Sequence, residues 1–169
     1  MYKRIIILGG SCSGKSTLAD RISTFTGYPA YHLDALFLDA NWDKKVFTEL
    51  VEIHKNILLK DNGVIDGNYT EVLPERLEWA DLIIFIDVST AVHLYRMLYR
   101  IFTVKFGIEK RYGNPNGTKT EFSLNFLSWV FNWNRTQKRK IFSMLESVKD
   151  KKIVIVNSPN KLDIEKLLK

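Results

Sequence analysis

Nine consecutive residues, Gly9-Gly10-Ser11-Cys12-Ser13-Gly14-Lys15-Ser16-Thr17, have the types and spacing to handle phosphate. They fit G-x-x-x-x-G-K-[ST], with Gly9, Gly14, Lys15 and Ser16 at the fixed positions. Glycines let the backbone curl until successive N–H groups converge on phosphate oxygens. A helix N-terminus adds its positive dipole end. In this pattern Lys15 reaches the β- and γ-phosphates, the Ser16 hydroxyl ligates Mg²⁺, and Thr17 is a weaker candidate for the α-phosphate. The expected bound groups are therefore ATP and Mg²⁺, with residues 9–17 as the nucleotide-binding segment. Cys12 is the one cysteine of the chain, which excludes an internal disulfide and fits a reducing cytoplasm.

Mg²⁺ requires a carboxylate beyond Ser16. Three acids close apolar segments: Asp34, Asp66 and Asp87. Asp66 is the candidate metal ligand, because Val64-Ile65 precede it and Gly67 lets the backbone pass close to phosphates. Asp87-Val-Ser-Thr reads instead as a helix start with a capping side chain. Asp34 falls at the C-terminal end of an expected second strand, the edge where open α/β sheets bind ligands. Phosphoryl transfer also needs positive charge around the moving group. Arg96/Arg100 and Arg135/Arg139 form two i,i+4 pairs flanking a glycine- and asparagine-rich segment. Arginine keeps its charge and offers a fixed fork. This placement suits a lid over about residues 100–122 that closes on ATP and brings the arginines in. His32, His54 and His93 lie on separate elements without metal-ligand spacing and receive no catalytic role.

These residues need a scaffold. The apolar run Ile5-Ile6-Ile7-Leu8 reads as a buried strand, and Leu18, Ile22 and Phe25 follow at helical spacing. Further strands are expected over 28–34, 64–69, 82–87 and 152–157, alternating with helical patterns. Residues 35–45 read as irregular. Residues 121–148 read as one long helix or two joined ones, with Trp129 and Trp133 in its core stripe. Asn160 is the expected cap of a final helix. The alternation argues for an α/β fold with a parallel sheet covered by helices on both faces. With 169 residues and 46% hydrophobic content, the chain suits a single domain over 1–169. No apolar run approaches the roughly 20 residues that span a bilayer. Net charge is +6, but residues 96–140 hold ten Lys/Arg against two Asp/Glu, so the basic character is local. That region could meet nucleotide phosphates or a nucleic-acid backbone.

The ordered motifs carry a resemblance. The phosphate loop, Tyr31-His32-Leu33-Asp34-Ala35-Leu36-Phe37, Ile65-Asp66-Gly67-Asn68-Tyr69, Arg76-Leu77 and the aromatic-basic segment 126–139 resemble the adenylate-kinase-related P-loop proteins labelled DNA topology modulation (FlaR-like) proteins. The resemblance implies a three-layer αβα P-loop fold, a five-stranded parallel sheet in order 2-3-1-4-5 and an arginine-bearing lid. It implies a phosphotransferase that moves the γ-phosphoryl group of ATP to a small-molecule acceptor, and places an adenine contact near 157–160. Adenylate kinases read Asp-Gly-Phe-Pro-Arg in the third strand's motif, whereas here Asn68-Tyr69-Thr70 follow Asp66-Gly67. That departure argues against a nucleoside monophosphate acceptor. It leaves Asp34, Asn68 and Arg76 as the acceptor-side candidates, with Asp34 orienting or deprotonating the hydroxyl. The competing reading is a nucleotide-switched DNA-binding regulator that works through the basic 96–140 region.

Overall fold

Strand β1 (Arg4–Gly9) is apolar on both faces, and the rest of the sheet is built around it. Successive strand side chains point to opposite faces. Ile6 and Leu8 join one core cluster with Ile65, Ile83 and Phe85. Ile5 and Ile7 join a second with Val64, Leu82, Ile84 and Ile86. A strand buried on both sides needs helices above and below it. The computed structural model describes residues 1–38, 46–106, 124–148 and 150–169. In chain order after β1 come α1 (Lys15–Thr26), β2 (Ala30–His32), α2 (Leu33–Phe37), α3 (Phe47–Leu58) and β3 (Gly63–Asp66). Then follow α4 (Leu73–Trp79), β4 (Leu82–Ile86), α5 (Thr90–Lys105), α6 (Leu124–Asn132), α7 (Gln137–Leu145), β5 (Lys152–Val156) and α8 (Ile164–Leu168).

The five strands form one parallel sheet in the order β2-β3-β1-β4-β5, the order expected above. Leu50 and Ile57 of α3, Leu73 and Leu77 of α4, and Ile141 and Leu145 of α7 cover one face. Leu18, Ala19 and Ile22 of α1 and Ile164 and Leu168 of α8 cover the other. The register sets Ile7 beside Asp66, and His32 beside Asp66 on its far side. The C-terminal ends of β1, β2 and β3 therefore meet where the phosphate loop begins.

Two expectations are corrected. The second strand stops at His32, so Asp34 lies in the first turn of α2 rather than at a strand end. Leu33 and Phe37, one helical turn apart and both fully buried, account for the early turn into helix. The segment read over 121–148 as one long helix or two joined ones is, among the described residues, two: α6 and α7, joined through a 3₁₀ turn at Trp133–Arg135, with Thr136 out of helical geometry at φ −113°, ψ −80°. Asn160 sits inside a second 3₁₀ turn, Pro159–Lys161. Asp163 caps α8 instead, its Oδ1 accepting from the Lys166 N–H at 3.0 Å. The expected lid at about 100–122 includes the end of α5, and its remainder lies outside the described residues. Among the described residues no helix is long and apolar enough to cross a membrane.

Candidate active site

The phosphate loop joins β1 to α1, and its shape is held from outside. Gly9 has φ +147°, and a Cβ there would come within 2.7 Å of the Ile86 carbonyl. At Gly10 the obstruction is side chains: a Cβ would lie 2.4 Å from the His93 ring and 2.9 Å from Trp133 Nε1. Cys12 (φ 56°) and Gly14 (φ 103°) take left-handed turns that help the loop curl. Three side chains bind the loop's backbone. Asn68 clamps Gly9, its Oδ1 accepting from the Gly9 N–H at 3.1 Å and its Nδ2 donating to the Gly9 carbonyl at 2.9 Å. His93 Nδ1 donates to the Ser11 carbonyl at 2.6 Å. Arg96 Nη1 donates to the Ser13 carbonyl at 2.8 Å. These bonds fix the curl of the loop, within which the Ser13 N–H turns back to the Gly10 carbonyl at 3.3 Å. Lys15 Nζ curls back over the loop to the Gly10 carbonyl at 2.9 Å. Burial pushes the His93 pKa down, and Lys15 and Arg96 push the same way, while the bond to Ser11 opposes them. A neutral ring that donates through Nδ1 fits this balance.

Ser16 and Asp66 meet as the motif requires. Ser16 Oγ donates to Asp66 Oδ2 at 2.7 Å. Asp66 Oδ1 faces His32 Nδ1 at 2.6 Å, and His32 Nε2 faces Asp20 Oδ1 at 3.1 Å. With a carboxylate at each nitrogen the ring favours the imidazolium, and the bond to Asp66 raises its pKa against the cost of burial. Among the described residues no cluster of three or more His, Cys, Asp or Glu could hold a metal unaided. Two adjacent hard oxygens do suit Mg²⁺, which takes one or two protein ligands and completes its shell with water and phosphate oxygens.

The residues expected on the acceptor side come from the continuation of the same turn and from α2. Tyr69, at φ 29°, donates its hydroxyl to Asp34 Oδ1 at 3.0 Å and packs edge-on against Phe37 at 4.8 Å. Burial and the Asp34 carboxylate both raise the phenol's pKa far above its ordinary value. Asp34 itself is exposed. Arg76, expected to face an acceptor, is 0% exposed. Its Nη1 donates to the Gly67 carbonyl at 2.7 Å, and its Nη2 to the carbonyls of Asn68 and Tyr69. Burial lowers its pKa to about 9, with Asp66 and Glu75 pulling upward, so it stays charged near neutrality. A buried fork that spends both terminal nitrogens on three carbonyls, with Nε buried and unbonded, shapes the turn and cannot meet a substrate. Asn68, the other acceptor-side candidate, spends its amide on Gly9.

Of the four arginines, Arg96 alone is seen on the phosphate loop. Arg100 lies one turn further along α5 and is half-buried. Arg135 and Arg139 are exposed and no longer share a helix, because the break at Thr136 falls between them. Arg96 also lines a cleft of about 520 Å³ with Asp87, Ser89, Val92, Lys138 and Asn157. Asp87 takes both its bonds from Lys138 Nζ, at 2.7 and 2.8 Å, while the Ser89 hydroxyl accepts the Val92 N–H at 3.4 Å at the start of α5. Asn157 and Ser158 line the same cleft.

Residues missed by sequence reasoning are His32, Asp20, His93 and Lys138. For His32 a signal existed: parallel pairing of the second and third strands sets it beside Asp66. His93 gave none, since α5 reaches the loop only in three dimensions.

No family model matches the chain, and no curated protein matches it either. Solved structures do share the fold. Shikimate kinase from Aquifex aeolicus superposes with TM-score 0.58 at 21% identity, over 98% of this chain and 93% of its own. Shikimate kinase from Bacteroides thetaiotaomicron gives 0.54 at 17%, over 98% and 94%. A gluconokinase from Sinorhizobium meliloti gives 0.53 at 18%, over 98% and 87%. The fold shared with these kinases is a five-stranded parallel sheet between helices.

Proposed function

We propose that this protein is an ATP- and Mg²⁺-dependent kinase of a small, hydroxyl-bearing molecule, folded as one domain over 1–169. The observation that carries the reading is the Ser16–Asp66 contact of 2.7 Å at the mouth of a complete phosphate loop. The loop amides and Lys15 would hold the β- and γ-phosphates. Ser16 and Asp66 would hold Mg²⁺, which neutralises phosphate charge when bound. Asp34 would accept the proton of the acceptor hydroxyl as its oxygen attacks the γ-phosphorus and ADP departs. Arg96 would stabilise charge from the α5 side, with Arg100, Arg135 and Arg139 as further candidates. The backbone around Asn157–Asn160, of which Asn157 and Ser158 line the cleft with Arg96, would meet the adenine. The structural neighbours named above are small-molecule kinases, which supports this class of acceptor.

We keep within this proposal the resemblance to the topology-modulation proteins, which rests on His32-Leu33-Asp34 and Asp66-Gly67-Asn68-Tyr69. Nothing among the described residues adds to the nucleic-acid reading. The test is ADP release by purified protein across a panel of hydroxylated metabolites. One acceptor should stimulate it, and Asp34→Asn should lower that rate by roughly 10²–10⁴ while sparing ATP binding. DNA-stimulated turnover with no stimulating metabolite would overturn the proposal.

A further inference from the structure

We propose that His32 is a positioning residue for the metal-binding carboxylate and that Asp20 holds the imidazole in place. This rests on the magnesium-dependent reading above. Asp66 has two oxygens with separate tasks. Oδ2 accepts from Ser16 at 2.7 Å, and Oδ1 is turned to His32 Nδ1 at 2.6 Å. The Asp66 side chain is 5% exposed, so bulk water cannot fix its rotation. The His32 ring does so.

The ring in turn needs an anchor. β2 is an edge strand of three residues paired only with β3. The contact from Nε2 to Asp20 at 3.1 Å fixes the outer edge of the ring, which Asp66 holds only at Nδ1. Asp20 and Ser16 are one turn apart on α1. The chain Ser16–Asp66–His32–Asp20 therefore begins and ends on the same helix. It ties the start of α1 to the ends of β2 and β3 and sets the carboxylate before a cation arrives. Preorganisation of this kind removes an ordering cost from binding. Outer partners of metal ligands commonly act in this way.

The test is Mn²⁺ binding to the full-length protein with saturating ADP, followed by electron paramagnetic resonance. His32→Ala should weaken Mn²⁺ by about 10–100-fold. ADP affinity measured in EDTA should change less than about twofold, since phosphate contacts are untouched. His32→Asn should recover most of the loss, because its amide N–H falls where Nδ1 stands. Asp20→Ala, a half-exposed position that spares the core, should give an intermediate loss of roughly threefold to tenfold. Wild-type Mn²⁺ affinity in both His32→Ala and Asp20→Ala would overturn the role of His32 alone. Parallel losses of Mn²⁺ and metal-free ADP affinity, unrescued by Asn, would reduce the chain to a structural tie and also overturn it. Failure of the wild-type protein to form any Mn²⁺–ADP complex would instead overturn the metal-dependent reading on which it rests.

Discussion

The two walls of the site are built in opposite ways from one short turn. Residues 66–69 serve both: Asp66 points to Ser16, Gly67 offers its carbonyl to Arg76, Asn68 clamps Gly9, and Tyr69 bonds Asp34. The phosphate wall is held from several sides, by Asn68, His93 and Arg96 on backbone atoms and by Trp133 behind Gly10. The proposed acceptor wall presents one exposed carboxylate with one phenol on it. Its rigidity comes from behind, through a single buried guanidinium. Phosphates are invariant ligands and can be met by a fixed cradle. The proposed acceptor wall hangs on few contacts.

Removing the hidden support should produce the largest effect. Arg76→Leu leaves the carbonyls of Gly67, Asn68 and Tyr69 without their donor. It should cost about 3–5 kcal/mol in urea denaturation. Arg76→Lys should recover little, because one ammonium cannot reproduce the fork. A loss under about 1 kcal/mol would show that the turn holds itself.

Pressure on the phosphate wall should be smaller in stability but plain in binding. Gly10→Ala forces a methyl against His93 and Trp133, both buried. Overpacking of this kind costs about 1–3 kcal/mol. Nucleotide affinity by calorimetry should fall along with thermal stability. Unchanged affinity would mean that the brace from α5 does not shape the loop.

The smallest change belongs to the exposed face. Tyr69→Phe keeps the ring against Phe37 and removes the bond to Asp34. Stability should move by no more than about 1 kcal/mol in a melting experiment. Acceptor turnover should change while ATP affinity holds. If ATP affinity fell instead, the division into two walls would be wrong.

The same contrast explains what could be read from the sequence. The phosphate loop was legible because its chemistry is contiguous and flanked by apolar runs with a strand's and a helix's pattern. The sheet order followed from the resemblance. Asp66 was legible because a buried strand ends on it. The Arg76 assignment failed because a charged residue was read as facing solvent or ligand. Its burial depends on three carbonyls that only the folded turn turns inward. Asp34 was placed on a strand because Leu33 and Phe37, which make the segment helical, fall on either side of it. His93 and Lys138 find their partners across 82 and 51 residues, separations that no local pattern reports.

The central claim is that the loop at Gly9–Thr17 binds the phosphates of ATP in a chain otherwise free to fold. Calorimetric titration of Mg²⁺–ATP into wild type and Lys15→Ala tests it most directly, with urea denaturation of both as the control. Wild type should bind. Lys15→Ala should lose a charge-assisted phosphate contact of roughly 1.5–3 kcal/mol, about 10- to 150-fold in affinity, with its stability preserved. Equal affinity in the two proteins would contradict the claim.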